Sequence, residues 1–283
     1  MIQIDQVKKQ YGSFQLDLGS IQFPEGQITG LVGTNGSGKT TTFKLLCGLI
    51  QADDGRIFID GQNVDSLSQE LKQKLGVVFA DSGFLGMMNG QDLEKILKAF
   101  YPTFETSLYQ KYMDQLHLPM DKPLSSFSTG MQVRMKLIAA LAHQPKILIL
   151  DEPTAGLDVL GRQEVHTLLQ EFMESPGRTI LISSHIASDL ETLCDDFWMI
   201  HDGKLRLHET VDALQSDYGI AILSAKEWHN FDKSAAIAYL PYGEGVQVLV
   251  KDRHFYKEND PSVVINKGNL DDLLLILEKG ESL

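Results

Sequence analysis

The sequence has few cysteines and no long apolar segment. Two of its 283 residues are cysteines, Cys47 and Cys194, and they form no paired motif. We therefore expect buried thiols in a reducing compartment rather than a disulfide or a metal site. No run approaches the roughly 18 to 20 apolar residues that span a bilayer, and the first residues lack a targeting pattern. We expect an intracellular protein without direct membrane insertion.

Basic side chains are also scarce. Lysine and arginine number 25 against 38 aspartates and glutamates, so the formal net charge is −13. Binding to nucleic acid or to an anionic lipid surface requires a basic footprint. We therefore expect no nucleic-acid partner, and any attachment to a membrane must come through another protein.

The order of strand-like and helix-like segments indicates the fold class. From residue 146 to residue 202, strands and helices alternate, which predicts a parallel sheet covered on both faces. The first third predicts strands at residues 2–7, 14–21 and 28–32 and a hairpin at 55–61. Helical periodicity covers residues 91–116, with a break at Pro102, and a second helix is predicted at 130–143.

A glycine-rich segment lies between the strand at residues 28–32 and a helix-forming stretch. It consists of Gly33, Thr34, Asn35, Gly36, Ser37, Gly38, Lys39 and Thr40. Glycines allow backbone N–H groups to surround phosphate oxygens, and the helix N-terminus favours negative charge. Lys39 is the candidate cation for the β- and γ-phosphates, and Thr40 the candidate hydroxyl ligand for Mg²⁺. We expect this segment, with Thr41 after it, to bind a nucleoside triphosphate; a chance glycine turn is the alternative.

A second candidate element is an apolar strand that ends in two carboxylates. Residues 147–150 are branched and apolar, as in a strand buried on both faces, and Asp151 and Glu152 follow them. Asp151 is expected to hold Mg²⁺, and Glu152 to activate the attacking water as general base. A surface loop is the alternative interpretation.

Between these two elements, a short polar segment directly precedes the helix predicted at 130–143. It consists of Phe127, Ser128, Thr129, Gly130, Met131 and Gln132. Here the sequence resembles the ATPase subunits of ATP-binding-cassette (ABC) transporters, whose signature motif is Leu-Ser-Gly-Gly-Gln. Ser128 and Gly130 are retained, while Phe127, Thr129 and Met131 depart from that pattern. The resemblance implies that Ser128 and Gly130 contact the γ-phosphate in an opposing subunit, with two ATP molecules between two domains; a plain capped helix is the alternative.

Three further positions match the family in order. Tyr11 occupies the place of the aromatic residue that stacks on adenine, with a core tyrosine as the alternative. Residues 155–158 resemble the loop that communicates across the dimer, and Asp158 is a candidate nucleotide contact. His185 matches the switch histidine that contacts the γ-phosphate.

One position departs from the family pattern. Ala80 and Asp81 follow the strand predicted at residues 75–79, where family members usually carry glutamine. In the family that glutamine reaches Mg²⁺ and the attacking water and joins the core to the helical lid. Ala80 has no coordinating atom, so Asp81 is the candidate substitute ligand.

The resemblance covers about residues 1–217 and implies an α/β fold. Its parts are a P-loop NTPase core with a parallel sheet, an N-terminal antiparallel β subdomain and a helical lid at about residues 82–140. Residues 218–283 are predicted to form a small C-terminal α+β extension, with strands at 246–250 and 262–265 and an acidic amphipathic helix at Leu270–Lys279. Packing, dimer contact and regulation are the roles left open for it.

Within the family, residues 101–104, 128–131 and 156–162 are most similar to bacterial exporters of peptides, antibiotics or bacteriocins. The resemblance implies an ATPase that uses ATP and Mg²⁺, forms a homodimer, and powers export through an integral membrane permease at the inner face of the cell membrane. The permease is expected to dock between Asp81 and Tyr101, where residues 83–88 are apolar and flexible; buried lid packing is the alternative for that segment.

Two other functions account for the sequence less well. A soluble family member acting in translation would carry two cassettes in one chain, and one acting in DNA repair would carry a long heptad insertion; the sequence shows neither. A small-molecule kinase with the same loop would leave residues 128–130 and His185 without a role.

Overall fold

The computed structural model describes residues 1–259 and 263–283. Within these two ranges it contains two sheets, of ten and five strands, and eleven α-helices. None of the helices in the described residues combines the length and apolar character that crossing a bilayer requires.

The N-terminal part builds an antiparallel β subdomain and the start of the core. Its elements are β1 (Ile2–Tyr11), β2 (Phe14–Phe23), β3 (Ile28–Val32), α1 (Lys39–Leu46), β4 (Asp54–Ile59), β5 (Gln62–Asn63), α2 (Gln69–Gln73) and β6 (Leu75–Val78). β1 pairs antiparallel with β2 and with β4, and β4 pairs with β5. The strands predicted at residues 2–7 and 14–21 are longer than expected, because the β1–β2 ladder runs from the pair Ile2 and Phe23 to a tight turn between Tyr11 and Phe14.

Three helices are inserted between β6 and the next core strand, and they form the expected helical lid. They are α3 (Gly90–Phe100), α4 (Thr106–Gln115) and α5 (Thr129–Leu141). The break predicted at Pro102 is confirmed, since α3 ends before it and α4 begins after it. Asn89 and Asp92 form a reciprocal cap at the start of α3, which satisfies backbone donors that a helix end otherwise leaves free.

The parallel core follows the lid. Its elements are β7 (Ile147–Asp151), α6 (Val159–Met173), β8 (Thr179–Ser184), α7 (Ala187–Leu193), β9 (Asp196–His201) and β10 (Lys204–Thr210). The parallel strands lie in the order β9-β3-β8-β7-β6, and every residue of β3, β7 and β8 is buried. Strands covered on both faces are continuously apolar, which is the pattern the sequence showed.

The antiparallel subdomain joins this core along a short seam. β10 is antiparallel to β9 but runs parallel to β2, where a single Cα pair, Lys204 with Asp17, is in register. The N–H of Asp17 donates to Gly203 O over 2.7 Å. The ten strands therefore form one sheet whose two parts share few ladder bonds.

The last part of the chain forms the C-terminal extension. After α8 (Val211–Ser216) come β11 (Tyr218–Ser224), α9 (Ala225–Asn230), β12 (Ala236–Tyr242), β13 (Gly245–Lys251), α10 (Arg253–Asn259), β14 (Ile265–Lys267), α11 (Leu270–Lys279) and β15 (Glu281–Ser282). These strands form an antiparallel sheet in the order β14-β11-β13-β12-β15.

The predictions for this extension hold in part. The strand at residues 246–250 lies inside β13, and the helix at Leu270–Lys279 is α11. The strand predicted at 262–265 is wrong in position. Its first residue, Ser262, lies outside the described residues, and the observed strand begins at Ile265, because β14 pairs with β11 only from Gly219 to Ala221.

Helix α11 packs on the cassette, about residues 1–217, and does not stand apart from it. Leu270, Leu273 and Ile276 are buried in the apolar core that also contains Leu190 and Leu193 of α7. A domain boundary near residue 217 stays a prediction, because the apolar core continues across it.

Shared packing gives the first testable prediction. Leu273→Ala removes a fully buried side chain and leaves a cavity, so the free energy of unfolding should fall by about 2 to 5 kcal/mol. Leu275→Ala is the matched control, because Leu275 lies on the same helix with an exposed side chain and should change stability by less than about 1 kcal/mol. Denaturant unfolding of the full chain measures both; equal effects would show that α11 is not part of the core.

Candidate nucleotide-binding and hydrolysis site

The phosphate loop, residues 33–40, connects β3 to α1 at the carboxyl edge of the parallel sheet. Gly38 has φ of +116°, and a Cβ there would lie 2.7 Å from Leu16 Cδ1. A Cβ on Gly33 would lie 2.1 Å from Ile200 O. Only glycine fits these two positions, so the loop folds tightly against β2 and β9 with its backbone N–H groups at the start of α1.

Lys39 supplies a cation to the inside of the loop. Its Nζ donates to Gly33 O (2.7 Å) and Thr34 O (3.2 Å) and lies 3.9 Å from Glu152 Oε1. Burial lowers the pKa of Lys39, while the carboxylates of Glu152, Asp151 and Glu278 act in the opposite direction. A poorly hydrated ammonium group of this kind interacts strongly with an anion, which suits it to a phosphate.

Thr40 and Asp151 meet at the start of α1. Thr40 Oγ1 donates to Asp151 Oδ2 (2.7 Å), and Ser183 Oγ donates to Asp151 Oδ1 (2.6 Å). The buried Asp151 is thus oriented by hydroxyl groups from two neighbouring elements. A hydroxyl and a carboxylate at a phosphate-binding helix end are oxygen ligands of the kind that Mg²⁺ prefers.

Glu152 lies one residue beyond β7 in a strained conformation. Its φ of +53° is in the left-handed region, and its N–H donates to Ser183 Oγ (3.1 Å). Its Oε2 lies 2.5 Å from His185 Nδ1 and also accepts from the His185 N–H (3.2 Å). The carboxylate is 14% exposed, which is consistent with a general base that reaches water while its orientation is fixed.

A buried carboxylate that the sequence did not indicate joins the segments that follow Glu152 and His185. Asp189 of α7 accepts from Thr154 Oγ1 (2.6 Å) and lies 3.4 Å from His166 Nε2 and 3.7 Å from Arg162 Nη1. Burial acts to raise the pKa of Asp189, but the bonds from His166 and Thr154 and the charge of Arg162 leave it below its ordinary value. Asp189 thereby ties together the segments that follow Glu152 and His185. No sequence signal marks it, because its partners lie far apart in the chain.

Asp81 is not brought to the other predicted metal ligands. Its Oδ2 lies 3.1 Å from Lys44 Nζ, near the end of α1, and its side chain is 69% exposed. Among the described residues, no hydrogen bond or ion pair joins Asp81 to Thr40 or Asp151. The backbone beside it is held from the lid instead, because Lys136 Nζ of α5 donates to Ala80 O over 3.0 Å. The role of Asp81 as a metal ligand stays a prediction.

The other predicted contacts lie outside this cluster. Ser128 caps α5 by accepting from the Met131 N–H, and its side chain is exposed; Gly130 packs against Leu157. Asp158 caps α6 through the Gly161 N–H (2.8 Å). In the described part of the chain, no hydrogen bond joins residues 128–130 to the phosphate loop.

Tyr11 ends β1 with an exposed ring, about half of it accessible to solvent. The alternative of a core tyrosine is therefore not what the structure shows. Lys9 Nζ lies 5.6 Å from the ring centroid. An exposed aromatic ring at the end of this strand is accessible for stacking, as the resemblance implies for adenine.

The fold and the cluster of Lys39, Thr40, Asp151, Glu152 and His185 define a nucleoside triphosphatase of the phosphate-loop class. Comparison with known proteins gives the family. The profile of the family described as ABC transporter matches residues 16–155. The bacitracin transport ATP-binding protein BcrA of Enterococcus faecalis is 34% identical over 208 residues, which cover 72% of this chain and 68% of BcrA. The lantibiotic transport ATP-binding protein SrtF of Streptococcus pyogenes is 33% identical over 219 residues, which cover 76% of this chain and 93% of SrtF.

Solved structures agree with the fold. The ATP-binding subunit of an ABC transporter superposes with a TM-score of 0.68 at 23% identity, covering 76% of this chain and 92% of that one. The ATP-binding cassette MJ0796, in a dimeric post-hydrolysis state bound to ADP and Pi, gives a TM-score of 0.66 at 21% identity, covering 75% and 99%. The chain belongs to the ATP-binding proteins of ABC transporters, and it is an ATPase subunit that powers transport. The resemblance stated from the sequence motifs is confirmed.

Removal of the general base is the second testable prediction. Glu152→Gln keeps the size of the side chain but cannot take a proton from water, so steady-state ATP hydrolysis should fall by about 10²- to 10⁴-fold. ATP affinity, measured by titration calorimetry, should not fall, because Lys39 and the loop remain. Hydrolysis at the wild-type rate would show that another group is the base.

The position of Asp81 gives the third testable prediction. If Asp81 substitutes for the missing glutamine, Asp81→Ala should lower ATP hydrolysis and raise the Mg²⁺ concentration at half-maximal rate. Lys44→Ala is the matched control, because it breaks the same ion pair without removing the carboxylate. Equal effects of the two variants would show that Asp81 contributes only its surface ion pair with Lys44. Such a pair contributes about 0.2 to 1 kcal/mol to stability.

Proposed function

We propose that this chain is the ATPase of a bacterial exporter of peptides or antibiotics, which acts on a separate integral membrane permease. The observation that supports hydrolysis most directly is the convergence of Glu152, His185 and Lys39 at the edge of the sheet. The names of BcrA and SrtF, which refer to bacitracin and lantibiotic transport, support the substrate class.

In the proposed mechanism each residue has a defined task. Lys39 and the N–H groups of residues 35–40 bind the phosphates, and Tyr11 stacks on the adenine. Thr40 and Asp151 would hold Mg²⁺, and the ion would supply positive charge to offset that of the phosphates. Glu152 accepts a proton from the attacking water, and His185 holds Glu152 in the orientation that this requires.

We propose that two copies of the chain form the working unit. Ser128 and Gly130 are accessible and separate from the phosphate loop of their own chain, so the nucleotide they serve is the partner's. Val159 and Leu160, which follow Asp158 on α6, are 68% and 71% exposed, as expected for apolar side chains that a second subunit covers. Glu152→Gln with ATP and Mg²⁺ should accumulate as a dimer in size-exclusion chromatography.

The docking site proposed for the permease is the groove between the core and the lid. It has a volume of about 620 Å³, and apolar side chains such as Leu49, Phe84 and Leu97 line it together with Lys72 and Lys136. Leu85 and Met87 beside it are largely exposed, which is not the buried packing considered as the alternative for residues 83–88. An apolar groove with exposed flexible side chains suits a short helix of a membrane protein.

The fourth testable prediction concerns this groove. Leu49→Asp should abolish co-purification of a polytopic membrane protein with the tagged chain from detergent-solubilised membranes, because it places a charge in the apolar contact. ATP hydrolysis of the isolated chain should remain. Ile222→Asp is the matched control, since Ile222 is similarly exposed but lies on the C-terminal sheet. Recovery of the wild-type chain with ribosomes or DNA instead would favour a soluble role in translation or repair.

A further inference from the structure

The C-terminal extension touches the phosphate loop directly. Glu278, in the last turn of α11, accepts a hydrogen bond from the Thr34 N–H through Oε1 over 3.2 Å, although 244 residues separate the two. The Glu278 side chain is only 10% exposed. A carboxylate from outside the cassette thus occupies a backbone donor of a loop whose task is to bind an anion.

Two anchors fix the position of this carboxylate. At the start of α11, the Leu270 N–H donates to Glu191 Oε1 of α7 over 2.5 Å, and at its end β15 pairs with β12. Between them the buried apolar face of α11 packs on the cassette core. A helix held at both ends presents its last turn at a defined place, so the contact follows from the architecture of the extension and not from a freely moving side chain.

Charge is the property that Glu278 adds to the loop. Its Oε1 accepts from the Thr34 N–H and lies 3.8 Å from His201 Nδ1, and its negative charge acts to raise the pKa of Lys39 against the effect of burial. The negative charges of Asp151, Glu152 and Glu278 therefore all act on Lys39. Asp151 and Glu152 have proposed tasks in hydrolysis, whereas Glu278 has none. The negative potential of Glu278 opposes the binding of a triphosphate.

We propose that Glu278 is a positioning residue that lowers the nucleotide affinity of the phosphate loop and through which the C-terminal extension regulates the cassette. The Thr34 N–H is held by this contact, and a negative charge faces the site. The extension, for which the sequence left packing, dimer contact and regulation open, thereby acts on nucleotide binding from within the same chain.

A charge series on the full-length chain tests this. Glu278→Gln keeps an oxygen acceptor for Thr34 but removes the charge, and Glu278→Lys reverses it. Calorimetric titration with ADP and Mg²⁺ at low salt should give affinities that rise from Glu to Gln to Lys, by about three- to tenfold at the first step. The difference should shrink at high ionic strength, because salt screens an electrostatic effect.

Asp271→Asn is the matched control, because Asp271 is an exposed carboxylate in the first turn of the same helix. The ADP affinity of this variant should equal that of the wild type. An equal gain in this control would mean a general effect of net charge and would overturn the proposal. So would an unchanged affinity in Glu278→Gln, or weaker binding together with a lower thermal midpoint in Glu278→Lys, which would make Glu278 a structural contact only. ADP binding by the wild-type chain in the same titration shows that the nucleotide site itself is intact.

Discussion

The site depends on the register of three parallel strands. β8 lies between β3 and β7, with Ser184 opposite Val32 and Ser183 opposite Asp151. This alignment brings the start of the phosphate loop, the acidic end of β7 and the segment before His185 to one edge of the sheet. The hydrogen bond from Thr40 to Asp151 then closes the arrangement across 111 positions of sequence. A shift of β7 by one residue against β8 would turn Asp151 to the other face of the sheet and separate the carboxylate from the loop.

Local sequence predicts the parts of the site that lie next to a strand or begin a helix. The phosphate loop, the pair Asp151 and Glu152, and the Ser128 cap each carry their structural reason within a few residues: glycine at a positive φ, a buried apolar strand, or a hydroxyl before a helix. The fold class follows in the same way from alternating strands and helices. These features could be read without knowing how the chain packs.

Contacts between distant segments could not be read in this way. Asp189 looks like an ordinary acidic residue in a helix, and its importance comes from Thr154, Arg162 and His166, which reach it only after folding. Glu278 was seen only as part of an acidic amphipathic helix. The absence of glutamine at Ala80 was visible, but the contact of Lys136 with the backbone oxygen of Ala80 depends on the packing of α5 on β6. The short strand β14 was misplaced because pairing with β11, and not the apolar run, determines where it starts.

The seam between β2 and β10 has a mechanical consequence. One pair of residues in register joins the backbone ladders of the antiparallel subdomain and the parallel core, so fewer ladder hydrogen bonds resist bending there than along the continuous ladders. Tyr11 belongs to one side of this seam and Lys39 to the other. Under the proposed mechanism, a nucleotide would contact Tyr11 through its base and Lys39 through its phosphates, and it would brace the sheet across this seam. Hydrolysis and release would then change the rigidity of the subunit as well as its contacts.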